Sequence, residues 1–197
     1  MHLNPAIDQA LRALNHPLLP NIDLSLDRME QFLAALGNPH HRLPGVIHLA
    51  GTNGKGSTQA FLRAIYEAAG YRVHAYTSPH LVRFNERIVL AGREIEDAYL
   101  NTLLDRIGPV VQSVPVTFFE ATTALAFLAF AEHPAEVVLL ETGLGGRLDA
   151  TNLVPAPCAT VLTPIDEDHK EFLGETIAQI AYERAGILKS EGPCFSG

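Results

Sequence analysis

The chain has 197 residues, 47% of them hydrophobic and 18% charged, with a formal charge of −8. That is enough apolar material for one substantial core, and the acidic balance argues against nucleic acid or an anionic membrane as partner, since either needs a basic footprint. Two cysteines, Cys158 and Cys194, give neither a disulfide framework nor a metal spacing, Met1-His2-Leu3 does not begin a signal-like stretch, and no apolar run reaches the roughly 18 to 20 residues of a membrane span, so a cytoplasmic protein is expected.

Residues 25–36 put Met29, Phe32, Leu33 and Leu36 on one helical stripe that stops at Gly37, a good left-handed cap. After a Pro/His loop, a strand is expected at 46–50, then a Gly-rich turn and a helix from about 57 to 69 ending at Gly70. The pattern repeats with a short strand at 72–77, a small extra strand at 84–90, and a helix at 95–107 carrying Leu100, Leu103, Leu104 and Ile107 ahead of Gly108. Residues 119–131 are apolar almost all round, as in a helix buried by its neighbours, and His133-Pro134 ends it. Strands follow at 137–141 and 159–163, then a loop at 164–175 and a helix at 176–185 opened by a Thr-x-x-Gln capping box. The turn at Gly192-Pro193 leads into a further strand near Gly197, as in a chain that stops inside its sheet. Short Val/Ile/Leu strands alternating with helices predict an α/β fold, a mostly parallel sheet sandwiched by helices in one domain.

Four of these strands hand over to polar, Gly- or Pro-rich segments at their carboxyl ends, where ligands bind in open α/β sheets. They are Gly51-Thr52-Asn53-Gly54-Lys55-Gly56-Ser57-Thr58, Thr77-Ser78-Pro79-His80, Glu141-Thr142-Gly143-Leu144-Gly145-Gly146-Arg147 and Asp166-Glu167-Asp168-His169-Lys170. The first is a phosphate loop in mechanism: glycines let backbone N–H groups face an anion, a helix N-terminus adds its dipole, and Lys55 supplies a point charge. Its spelling departs from G-x-x-x-x-G-K-[ST], because Gly56 separates Lys55 from Ser57. Glu141 ends an apolar strand, where a carboxylate needs a cation or several donors, and Mg²⁺ on nucleotide phosphates would suit it. On chemistry alone Ser78 is a turn former, His169 a structural or exposed histidine, and Arg83, Arg87, Arg147 and Lys170 solvated side chains beside the turns.

Together with Phe119-Glu120, Leu148-Asp149-Ala150-Thr151-Asn152, Leu173-Gly174 and Glu183-Arg184-Ala185-Gly186-Ile187, these segments resemble the folylpolyglutamate synthase/dihydrofolate synthase family, relatives of the Mur ligases. The motifs run in order from about residue 22 to residue 189. The resemblance implies that residues 1–197 are the N-terminal ATP-binding domain of a longer monomeric ligase, truncated here, with a smaller Rossmann-like domain for glutamate absent. It implies that Thr52, Asn53, Gly54, Lys55, Gly56 and Ser57 hold ATP, and that Ser78, Glu141 and His169 hold one or two Mg²⁺ ions. Ile22, Asp23, Leu24, Thr117, Phe118, Phe119, Glu120, Leu148, Asp149 and Ala150 would contact a dihydropteroate or reduced folate. Lys55, Glu141, His169 and Arg184 are the expected catalytic residues, for ligation of L-glutamate through an acyl phosphate. A Mur-type cell-wall ligase and a non-catalytic nucleotide-binding module are the competing readings.

One position departs from the family pattern. Where the family usually has a carbamylated lysine serving a second magnesium, this chain has Arg184, which cannot take that role. Helical spacing sets Arg184 inward with Ile177, Ile180 and Ala181, so it is expected to pair with a phosphate or with Glu141, while Lys189 is expected at the surface.

Overall fold

The computed structural model describes residues 25–190 and 192–197. The expected substrate contacts Ile22, Asp23 and Leu24 lie outside the described residues. Seven strands form one sheet in the order β4-β3-β2-β5-β1-β6-β7. They are β1 (Gly45–Ala50), β2 (Val73–Tyr76), β3 (Ile88–Leu90), β4 (Arg93–Glu94), β5 (Val137–Glu141), β6 (Ala159–Leu162) and β7 (Cys194–Ser196). The central pairings β2–β5, β5–β1, β1–β6 and β6–β7 are parallel, and β3 and β4 close one edge antiparallel. The helices are α1 (Asp27–Ala35), α2 (Lys55–Ala68), α3 (Asp97–Ser113), α4 (Phe118–Glu132), α5 (Lys170–Leu173) and α6 (Ile177–Ala185).

Strand alternation sorts the sheet's side chains onto two faces. Val46, Tyr76, Val138 and Leu140 join the larger core with Met29 and Phe32 of α1, Leu100 and Leu103 of α3, and the apolar body of α4. Ile47, Leu49, Ala75 and Leu139 face the other way, against Leu62 and Tyr66 of α2. α4 is buried on nearly every side, as its all-round apolarity requires, and its first turn is closed by a Thr117/Glu120 capping box. Among the described residues no helix is long and apolar enough to cross a membrane.

Register carries this arrangement to the site. Leu49 pairs with Glu141, Ala50 with Leu162 and Tyr76 with Leu140, so β1, β2, β5 and β6 all end at one rim of the sheet.

Several boundaries differ from expectation. α2 begins at Lys55, two residues early, because left-handed Gly54 (φ 86°) turns the chain straight into the helix. α3 runs through Gly108 and Pro109 to Ser113, since Val111 continues the buried stripe one turn beyond Ile107. Core contact outweighs the backbone hydrogen bond that Pro109 forgoes. The first half of the expected strand at 84–90 is a 3₁₀ turn (Phe84–Arg87), and only Ile88–Leu90 pairs with β2. A two-residue turn, Ala91 and Gly92, both at positive φ, then folds the chain back into β4, a hairpin geometry that alternation does not reveal. The loop at 164–175 contains the single turn of α5.

Candidate active site at the strand ends

Gly51 leaves β1 at φ 147°, packed so closely on β6 that a Cβ would lie 1.9 Å from Thr163 Oγ1. Only glycine fits there. The loop is then stitched to the segment after β6. Thr52 N donates to Pro164 O (3.0 Å), and Thr52 Oγ1 donates to Asp166 O and accepts from Asp166 N, each at 3.0 Å. No side chain caps α2, so the N–H groups of its first turn, at Lys55, Gly56 and Ser57, have no partner within the helix. Exposed Asn53, Gly54, Gly56 and Ser57 surround these donors. The result is an anion cradle with the helix dipole behind it. Lys55 Nζ folds back onto Gly51 O (2.7 Å) and Thr52 O (3.4 Å). Burial disfavours its charge, and nearby Glu141 works the other way.

Glu141 is buried at the end of β5, where its Oε2 accepts from Thr77 Oγ1 (3.0 Å) and Ser78 N (3.4 Å). Burial raises its pKa, opposed by Thr77 and by Lys55. Its Oε1 has no hydrogen-bond partner among the described residues. A buried carboxylate with a spare oxygen beside a phosphate cradle fits a hard cation, and Ser78 is adjacent to it. His169 is placed differently. It sits in the left-handed conformation (φ 48°) ahead of α5, its side chain half exposed, with Nε2 3.6 Å from Asp168 Oδ2. Among the described residues no three or more His, Cys, Asp or Glu side chains form a group able to hold a metal.

Of the expected substrate residues that the structure describes, Phe118, Phe119 and Ala150 join the larger core, on the face of the sheet away from α2. Phe119 packs against Tyr76 and lies over Gly143, where a Cβ would come within 2.4 Å of its ring. Phe118 meets Phe84 edge-on. Two of the polar residues are committed to the fold. Asp149 accepts from the backbone of Gly143 (2.9 Å), Leu144 (2.8 Å) and Thr151 (3.0 Å) and from the Thr151 hydroxyl (2.5 Å), which fixes the turn behind Glu141. Glu120 accepts from Thr117 N (2.6 Å) and from Arg28 (3.1 Å and 3.2 Å). Ala150 is buried in the 3₁₀ turn Ala150–Leu153, while Leu148 is partly exposed.

Arg87 corrects the reading from sequence, whereas Arg83, Arg147 and Lys170 stay substantially exposed. Arg87 is buried, with Nε donating to His80 Nδ1 (2.8 Å) and its guanidinium over the rings of Phe84 and Phe118. Arg83, Arg147 and Lys170 are paired with Glu94, Glu183 and Glu167. Arg184 is buried as expected, but Ile177 on its stripe is half exposed, because α6 turns its first residue toward solvent. Arg184 does not bond Glu141. It donates from Nη1 to Gly51 O (2.6 Å) and holds Nη2 3.6 Å from Asp168, so this position offers no anionic ligand to a second metal. Lys189 is partly buried, with Nζ 3.4 Å from Asn152 O.

Gln59 escaped notice. Its amide donates to Tyr76 O (2.7 Å) and Leu139 O (3.1 Å), bracing α2 against two strands, and its oxygen shares the single Thr77 hydroxyl proton with Glu141. Its position one helical turn after Lys55 was the available signal.

No protein-family model matches the chain. Among curated proteins, the dihydrofolate synthase/folylpolyglutamate synthase of Bacillus subtilis is 47% identical over 175 residues, covering 85% of this chain and 40% of the relative. The chain superposes on the solved structure of E. coli FolC in complex with DHPP and ADP with a TM-score of 0.91 at 39% identity, over 96% of this chain and 45% of that one. The chain belongs to the dihydrofolate synthase/folylpolyglutamate synthase family. An FPGS–AMPPCP–folate complex superposes at TM-score 0.88 and 36% identity, over 97% of this chain and 48% of that one. The chain thus spans about two fifths of the length of the curated relatives it matches.

Proposed function

We propose that the whole protein is an ATP-dependent ligase that joins L-glutamate to dihydropteroate, to reduced folates, or to both, through an acyl phosphate. The observation that carries this reading is the uncapped first turn of α2, with Lys55 beside it and the buried Glu141 carboxylate close by, at the shared rim of β1, β2, β5 and β6. The E. coli relative binds DHPP and ADP together, which supports the same pair of ligands here.

In this reading the N–H groups of Lys55, Gly56 and Ser57 orient the phosphates of ATP, and Lys55 Nζ leaves Gly51 O to balance charge on the transferred phosphoryl group. Thr52, Asn53 and Gly54 shape the loop around them. Glu141 and Ser78 would hold Mg²⁺, with His169 as a further ligand on the strength of its motif. When bound, Mg²⁺ neutralises phosphate charge. Phe118, Phe119 and Leu148 offer apolar contact for a flat pterin, while Thr117, Glu120, Asp149 and Ala150 keep the walls of that site in place. The substrate carboxylate attacks the γ-phosphorus, ADP leaves, and the glutamate amine displaces phosphate from the acyl phosphate. Holding these partners in line and apart from water is the protein's main contribution. Glutamate selection is assigned to a second domain outside these 197 residues, in a monomeric cytoplasmic enzyme.

The test is phosphate release from ATP by the full-length protein, omitting dihydropteroate, a reduced folate and glutamate in turn. Release that needs glutamate and a pteroate or folate supports the reading. Release indifferent to all three, or none with any combination, overturns it.

A further inference from the structure

Two cations share one backbone oxygen in the phosphate loop. Lys55 Nζ and Arg184 Nη1 both donate to Gly51 O, at 2.7 Å and 2.6 Å. The two side chains differ in their freedom to move. Arg184 is 2% exposed on the last turn of α6, and its second Nη lies 3.6 Å from Asp168 Oδ2. Its Nε is buried without a partner among the described residues, so the Nη contacts alone set the guanidinium's orientation. Among the described residues Lys55 has a longer contact to Thr52 O (3.4 Å) as its one other hydrogen bond, on a rotatable stem at the open end of α2.

A phosphate seated on the first turn of α2 would draw the Lys55 ammonium off Gly51 O. The carbonyl left behind is buried, and an abandoned acceptor there would oppose the move. Gly51 cannot relieve this by shifting toward β6, because it already abuts Thr163. Arg184 supplies the remaining donor. It also repels Lys55, which favours departure toward an anion.

We propose that Arg184 is a positioning residue: it keeps the Gly51 carbonyl bonded and fixed while Lys55 swings to a phosphate, so that α6, not the ligand, sets the shape of the loop. A planar guanidinium can hold Gly51 O and Asp168 with separate nitrogens, whereas a lysine ammonium is a single compact charge. The inference rests on the nucleotide reading of the loop and gives Arg184 a role through Gly51 O and Asp168, its partners in the structure.

The experiment is ADP titration calorimetry at fixed Mg²⁺ with the full-length protein, comparing Arg184→Met, Arg184→Lys, Lys55→Met and the Arg184/Lys55 double variants. Amide hydrogen exchange of Thr52 and Asn53 is measured on the same proteins without nucleotide. Arg184→Met is expected to weaken ADP binding about tenfold when Lys55 is present and less than about twofold when it is absent. Arg184→Lys should restore part of the loss, and the loop amides should exchange faster in Arg184→Met. Equal losses in both backgrounds would mean that Arg184 acts on the ligand directly, and unchanged affinity in both would reduce it to packing; either overturns the proposal. If Arg184→Met does not fold, Arg184→Lys in the two backgrounds carries the same comparison. Absence of ADP binding by the unmodified protein refutes the nucleotide reading instead, and the exchange data then decide alone, with unchanged rates overturning the loop-setting role.

Discussion

His48 should make this protein acid-labile by an amount that can be isolated. Its ring is fully buried on β1, with Nε2 2.8 Å from Thr151 Oγ1. The Thr151 hydroxyl gives its proton to Asp149 Oδ1 (2.5 Å), so it must accept from His48, which places the imidazole proton on Nε2. Nδ1 is then a buried lone pair without a partner among the described residues, and charging it means adding a proton where burial and nearby Lys189 both oppose it. The pKa is lowered from 6.5 to about 3. A depressed folded-state pKa stabilises the fold above the unfolded value and loses that contribution as pH falls, because the unfolded ring takes up a proton that the folded one refuses. At about 1.4 kcal/mol per pH unit, lowering the pH from about 6.5 to about 4.5 removes on the order of 2 to 3 kcal/mol. That is a large share of the roughly 5–15 kcal/mol that holds a domain together. His48→Gln keeps an amide donor for Thr151 and cannot titrate. Urea unfolding followed by circular dichroism at both pH values should show wild-type stability falling by roughly 2 to 3 kcal/mol more than that of His48→Gln. Parallel pH profiles for the two proteins would refute the argument.

Lys55→Met should lower substrate-dependent phosphate release by at least about a hundredfold while leaving thermal stability near wild type, since among the described residues Lys55 bonds only loop carbonyls; steady-state kinetics and calorimetry check both halves. Gly51→Ala should cost about 1–3 kcal/mol or more in urea denaturation, because the new methyl group meets Thr163 Oγ1 at 1.9 Å and the φ of 147° is unfavourable to a side chain. Glu141→Gln retains an oxygen for Thr77 but not the charge, so half-saturation by Mg²⁺ in the ATPase assay should shift upward by about tenfold or more. His169→Ala should shift the same Mg²⁺ curve if His169 is a ligand, and an unchanged curve would leave Glu141 and Ser78 as the protein's contribution.

The strand-end motifs were legible because each requirement is local. Glycines before a helix, a lysine beside them and a carboxylate closing an apolar strand can be read without reference to distant residues, and the structure brings them to one rim. α4 was legible for a related reason, as Phe118–Glu132 has no polar face and must be buried on all sides. Where the reading went wrong, a distant partner decided the outcome. Gly108 failed to stop α3 because Val111 had core to reach, and Arg87 left solvent because Phe84 and Phe118 stacked around it.

The roles of individual polar residues divide the same way. By itself, the sequence determined the α/β alternation, the rim where the four motifs meet and the inward direction of Arg184, since periodicity and backbone chemistry act over a few residues. Only the tertiary structure decided that Arg184 reaches Gly51 and Asp168 instead of Glu141, that Asp149 and Glu120 serve the fold, and that Gln59 braces the site. Hydrogen bonds between elements form wherever packing brings donor and acceptor within about 3 Å, and that proximity is a property of the assembled layers that no stretch of sequence contains.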